Sequence, residues 1–354
     1  MSRVPTVEEW LARLASRDAG AREEALEALG ESLGTGDADA RERTARALLE
    51  ELGRSGSKVV GPLLALLQAC WWPPQPGLIA TAVQAVLEAV TRVEAEGADV
   101  EHAAQVLAHV CRVDPSQLSV LEGAFGHPQA SVRSAMARVV GRVGQPALPW
   151  LPRLFALLED EEPVAIAAVE SLGSLAPLAP DVAAPLLVEQ VRKAEGARLY
   201  LAILSLRSLV EERRRNGQSL PRLPDLEPAL LRTLEEPEPP SRLEAVALLG
   251  LTGPASPEAL TALRDSLKDP SPFVAAHAAV ALLRLGAPPA EALFLLKGQL
   301  GPAAAPELQG AALSALTEVE PSTLFRAKGM LESVVRDSTG PTRDALRELL
   351  DSLG

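Results

Sequence analysis

The chain has 354 residues, 47% apolar and only 3% aromatic, and a formal net charge of −13. Ala and Leu dominate while strand-favouring residues are sparse, so an all-α chain with ample core material is expected. The charge argues against a phosphate-tracking protein, two cysteines (Cys70 and Cys111) exclude a disulfide framework, and no apolar run reaches the roughly 20 residues of a membrane span.

The N-terminal stretch MSRVPTVEEW lacks a signal-peptide apolar core, so a cytoplasmic location is expected. Helices are predicted near 6–15, 20–33, 37–53, 57–69, 76–93 and 98–112. The pair 57–69 and 76–93 reads as a hairpin, which leaves 37–53 and 98–112 as surplus helices. Between that pair lies CWWPPQPG at 70–77. Trp71 and Trp72 there are either interface side chains, since Trp is frequent among hot spots, or a lid on their own hairpin. His102 and His109 are seven residues apart on one helix, about 10.5 Å along its axis. That spacing suits a single metal ion poorly.

From 115 onward the chain repeats itself. GHPQASVRSAMARVVGRVG ends at Gly144, EDEEPVAIAAVESLGSLA at Ala176, EEPEPPSRLEAVALLGLTG at Gly253 and DSTGPTRDALRELLDSLG at Gly354. DPSPFVAAHAAVALLRLG, 269–286, belongs to the same series. Gly141, Gly173, Gly250 and Leu283 share one position, in steps of 32, 77 and 33 residues. A period in the thirties marks a helical solenoid, whose hairpins bury their stripes only by stacking. Each of these helices follows a partner such as LPWLPRLFALLED or PEALTALRDSLKD, apolar at i, i+3, i+4 and i+7. The turn ERRRNGQSLPRLPD, 212–225, is unusually long and reads as a solvated loop. Arg213 to Arg215 suit the C-terminal end of a helix dipole. Basic residues are nearly all Arg, which is read as coding bias rather than chemistry.

The DP turn, the apolar residue after it, and an Arg six residues beyond the turn acid resemble the HEAT-repeat family, with a bacterial source expected. The resemblance implies a right-handed α-solenoid of about nine to ten stacked helical hairpins. It forms one domain over 1–354, degenerate over 1–114 and clearer over 115–354. It also implies a ladder of turn acids and arginines between repeats. By spacing, Glu236 goes with Arg242 and Asp337 with Arg343. His127 takes the acidic place before Arg133, and Ala275 replaces the Arg after Asp269.

Nucleotide-binding, hydrolase and metalloprotease motifs are absent, so no catalytic, cofactor or metal residue is assigned. His277, in the apolar run FVAAHAAVALL, is expected to be a satisfied, partly buried histidine. Members of the resembled family bind proteins on the concave face lined by each second helix. A non-enzymatic protein-binding scaffold or adaptor, without cofactor, is therefore expected. On that face Ile203, Ala247, Leu251 and Val280, flanked by Arg207 and Arg284, form either an apolar groove floor or a row buried between repeats. The alternatives are a modification factor resembling phycobilin lyases and, disfavoured by charge, a nucleic-acid binder. The final helix runs to the end of the sequence, so end-to-end self-association is a further expectation.

Overall fold

A computed structural model describes residues 5–71, 73–93, 97–253, 255–337 and 340–351. Among these residues every regular element is helical. They fall into two compact units, 1–179 and 180–354.

The first unit holds five hairpins. α1 (Val7–Leu14) pairs with α2 (Ala19–Thr35), α3 (Ala38–Arg54) with α4 (Ser57–Cys70), and α5 (Ile79–Val93) with α6 (Ala98–Val113). In the fourth, the short α7 (Gln117–Val120) and a 3-10 turn precede α8 (Ala130–Val143). In the fifth, α9 (Leu151–Ala156), flanked by 3-10 turns, precedes α10 (Glu162–Leu175). The second helices pack in one row, α2 on α4, α4 on α6, α6 on α8 and α8 on α10, while α1, α3 and α5 pack in another.

The expected pairing in the N-terminal third is therefore corrected. The helix predicted at 57–69 closes a hairpin opened by the one at 37–53, and the one at 76–93 opens the next, so no helix is surplus. The turn after α4 looked like the inside of a hairpin because Pro and Gly crowd it. It joins two hairpins instead, and α3 earns its place with Leu48, Leu49 and Leu52 fully buried.

The second unit also holds five hairpins: α11 (Pro180–Lys193) with α12 (Gly196–Arg215), α13 (Leu226–Thr233) with α14 (Pro239–Thr252), and α15 (Pro257–Ser266) with α16 (Pro272–Arg284). α17 (Ala290–Leu300) with α18 (Pro306–Thr317) and α19 (Pro321–Asp337) with α20 (Gly340–Asp351) complete it. Again α12, α14, α16, α18 and α20 form one row. Proline opens α14, α15, α16 and α18, where its fixed φ fits and its missing N–H is no loss.

Glycine sets how closely the second helices approach. A Cβ on Gly141 would lie 2.8 Å from the Ser171 Cα, and one on Gly250 2.7 Å from the Ala281 Cα. No side chain fits there, so the glycines shared at one repeat position mark backbone contact between neighbouring repeats.

The ladder is present with a different register. Arg133 Nε and Nη2 donate to the Asp160 carboxylate at 2.7 Å each, 27 residues on. Arg242 repeats this with Asp269 at 2.9 Å, again 27 residues on. Each Arg also donates to two carbonyls of its own turn, at His127 and Pro128 or at Glu236 and Pro237. The acid therefore belongs to the next repeat, and Glu236 contributes its carbonyl to Arg242. Asp160 was not singled out in the sequence. Both carboxylate-bound arginines are raised above the usual arginine range, chiefly by that hydrogen bond.

Arginine has a second structural task. Arg92 on α5 donates to the Leu52 and Gly53 carbonyls of α3 at 2.6 and 2.7 Å. Arg112 does the same to Arg142 of α8, Arg214 to Leu251 of α14, Arg232 to Val191 of α11 and Arg284 to Glu318 after α18. Each fills orphan carbonyls at the C-terminal end of a neighbouring helix. A guanidinium fork spans several acceptors where an ammonium meets them as a point. These arginines are thus used structurally.

Candidate functional site

The second-helix row of the second unit carries an ionic cluster. Arg207 comes from α12, Glu244 from α14, His277 from α16, and Glu318 caps α18. Glu244 lies near the start of the apolar run LEAVALLGL, two residues after Arg242, and His277 interrupts the apolar run FVAAHAAVALL. Arg207 Nε lies 2.6 Å from Glu244 Oε2, and its Nη1 lies 2.9 Å from Glu318 Oε2. Arg207 thus reaches from the unit's first hairpin to its fourth. Glu211 stands 3.5 Å away on the same helix. His277 Nδ1 donates to the Phe273 carbonyl at 2.8 Å, which leaves Nε2 facing Glu318 Oε2 at 3.6 Å.

Burial pushes the Glu244 carboxyl above its ordinary range; Arg207 opposes this and Glu318 adds to it. Glu318 is held below the carboxylate range, first by the His277 contact and despite burial. Burial would lower Arg207, but Glu244, Glu211 and Glu318 together raise it.

Beside this cluster an open groove of about 630 Å³ is lined by Arg207, Glu211, Arg214, Arg215, Leu251, Arg284, Thr317, Glu318, Val319 and Glu320. Arg284 Nε holds Glu320 Oε2 at 3.0 Å, and Arg214 Nη2 stands 3.6 Å from the same carboxylate. Burial would raise Glu320, but a hydrogen bond from its own backbone N–H and the two arginines bring it below the usual range. Arg215 is exposed and makes no ion pair with another described residue.

Several expected site residues are placed elsewhere. Ile203, Ala247 and Val280 are buried between helices and form no groove floor, and Leu251, nearly buried, reaches only the groove's edge. Gly250 lets α14 and α16 approach closely beside Ala247 and Val280, and Ile203 is buried in the same row of helices. Arg207 and Arg284 do reach the groove, with both guanidiniums engaged. Trp71 is only 1% exposed; it caps α4 and its Nε1 donates to Gln75 Oε1. It is therefore buried at the end of α4, beside the turn to the next hairpin, and is not presented to a partner. Trp72 lies outside the described residues. The polar positions, Glu244 and His277, sit three residues before Ala247 and Val280. The sequence reading did not bring them together; their 33-residue separation, a repeat period, is the signal by which it could have done so.

Among the described residues no cluster of three His, Cys, Asp or Glu side chains is placed to hold a metal ion. His109 is lowered by burial and by Arg112, and Gln105 Nε2 lies 2.8 Å from its Nε2. The Cys111 thiol is pushed up to about 12 by burial and by Asp114. No helix among the described residues is long and apolar enough to cross a membrane.

Solved structures share this fold at low identity. E. coli YibA aligns at 13% identity and a TM-score of 0.52, over 78% of this chain and 95% of its own. An importin beta structure aligns at 14% and 0.56, over 98% of this chain and 52% of its own. Kap95p, solved with RanGDP, aligns at 15% and 0.55, over 98% and 50%. The chain thus spans about half the length of these importins. Among curated proteins none matches the sequence. The family described as HEAT repeats matches residues 117–207 and 226–317, more than half of the chain. With its paired helices, close-packing glycines and arginine–aspartate ladder, the chain belongs to the HEAT-repeat family.

Proposed function

We propose that this protein is a non-enzymatic protein-binding scaffold that holds a carboxylate-bearing segment of a partner in the groove of its second unit. One observation carries the reading: four arginines, Arg207, Arg214, Arg215 and Arg284, line one open groove against three glutamates, in a chain whose net charge is −13. Arg214 and Arg215 are the accessible ones, and a guanidinium pairs with a carboxylate through two parallel hydrogen bonds. The polar rim over a packed floor suits an extended segment better than a small apolar ligand. The structural likeness to importins, one of them solved with RanGDP, fits a protein partner at the level of fold alone.

The test is affinity capture from the source cells with cross-linking mass spectrometry. Wild type runs beside Arg214→Ala/Arg215→Ala, with helicity checked by circular dichroism. A partner cross-linked at the groove and lost in the folded double variant supports the reading. A bound small molecule or intrinsic activity, with no partner on either bait, overturns it.

A further inference from the structure

A second surface lies on the first helices of the same unit. Leu293-Phe294-Leu295-Leu296-Lys297-Gly298-Gln299-Leu300 on α17 and Leu324-Phe325-Arg326-Ala327-Lys328-Gly329-Met330-Leu331 on α19 share the pattern LFxxKGxL, 31 residues apart. The helices pack against each other, so the two copies lie on neighbouring helices, with equivalent positions buried. Leu296, Leu300, Ala327 and Leu331 face the core. Phe294 and Phe325 do not: at 82% and 65% exposed they are the two most exposed large apolar side chains among the described residues.

Packing within the chain accounts for neither phenylalanine. It does not account for the glycines either. A Cβ on Gly298 or Gly329 would meet nothing within 4 Å, although glycine inside a helix is less stable than alanine. Each motif therefore presents an aromatic ring beside a bare strip of backbone, as a surface that admits a close neighbour would. The corresponding positions on α15 hold Thr261, Arg264 and Asp265, so the pattern is confined to the last two hairpins.

Charge selects the neighbour. The chain has five lysines, and Lys297 and Lys328 fall at the same place in both motifs. Lys328 Nζ stands 5.7 Å from the Phe325 ring centroid. Of the nearby carboxylates, Glu291 on α17 is turned to Arg264, 4.0 Å away, and the exposed Glu332 follows the second motif, a turn beyond Lys328. We infer that the paired motifs dock an acidic amphipathic helix of a partner protein, laid across α17 and α19. Packed helices stand about 8–10 Å apart, and two apolar side chains seven residues apart on a helix are about 10.5 Å apart. One such pair meets both phenylalanines while carboxylates on its flank meet the lysines. Aromatic anchors with a charged rim are the usual composition of such a contact.

The probe is a displayed library of helix-forming 20-residue peptides, randomised on one face and selected on the full chain. The expected winners carry two apolar residues seven apart and acidic flanks. Phe294→Ser/Phe325→Ser and Lys297→Glu/Lys328→Glu each weaken a winner at least tenfold without lowering the thermal midpoint. Gly298→Ala/Gly329→Ala raises the midpoint and still weakens binding several-fold. Arg214→Ala/Arg215→Ala leaves it unchanged, which separates this surface from the groove. Winners that bind the phenylalanine variant equally well, winners that are basic, or no winners overturn the inference. So does sedimentation showing a wild-type dimer that the phenylalanine variant dissociates, because the occupant is then a second copy.

Discussion

The two units carry the same ladder and different second-helix faces. In the first unit Arg138 joins Glu170 and stands 3.5 Å from Glu101, and Arg142 joins Glu101. These contacts link neighbouring helices α6, α8 and α10, and both glutamates keep more than a third of their side-chain surface in solvent. In the second unit Arg207 is mostly buried, Glu244 almost wholly so, and the contacts run across four hairpins. The repeat thus fixes the arginine–aspartate ladder and the glycine contact, while the depth at which the next charges sit is free to differ. Solvent screens the first network, whereas the second works in a medium where an unpaired charge is costly.

That contrast is broken most directly at its charges. Arg207→Ala leaves Glu244 buried without its guanidinium and is expected to cost about 3–5 kcal/mol in urea unfolding. Arg138→Ala, the matching change in the first unit, is expected to cost about 1 kcal/mol or less. Equal losses would erase the distinction. Next in size, Gly141→Ala and Gly250→Ala force apart the helix backbones each glycine lets meet, for about 1–3 kcal/mol each. The two should match, because the glycine contact is common to both units.

Smaller again, Arg133→Lys and Arg242→Lys keep the charge and lose the fork, for about 1–2 kcal/mol each by thermal denaturation. Smallest is a pH effect from the buried cluster of the second unit. The folded chain holds the Glu244 proton more tightly than the unfolded chain does. That contribution is present below the ordinary value of 4.5 and is lost as pH rises through the folded one. Glu318 is depressed, so its contribution is lost as pH falls below 4.5. The stability of wild type relative to Glu244→Gln should fall from pH 4.5 towards 7. Relative to Glu318→Gln it should fall below 4.5. A flat difference against Glu244→Gln would remove the claim that burial governs this carboxyl.

The helices, their period and the close-packing glycines were legible because each leaves a local mark: an apolar stripe, a proline at the start, a glycine at a fixed place. The pairing in the N-terminal third was not, since a proline-rich turn looks the same inside a hairpin and between two. The ladder was half legible. Spacing identified Arg133 and Arg242, but their carboxylates lie 27 residues on, beyond what a single turn displays. The site failed for a physical reason. Ile203, Ala247 and Val280 point away from the main stripe, yet closely packed second helices bury them as well. Which polar residues remain at that surface depends on the approach distance, and composition does not give it.

The central claim is that Arg207 ties the second-helix row of the second unit together. Amide hydrogen exchange of Arg207→Ala tests it most directly. The account predicts that protection falls together in α12, α14, α16 and α18 while the first unit keeps its own. Loss confined to α12, or no loss, would contradict it.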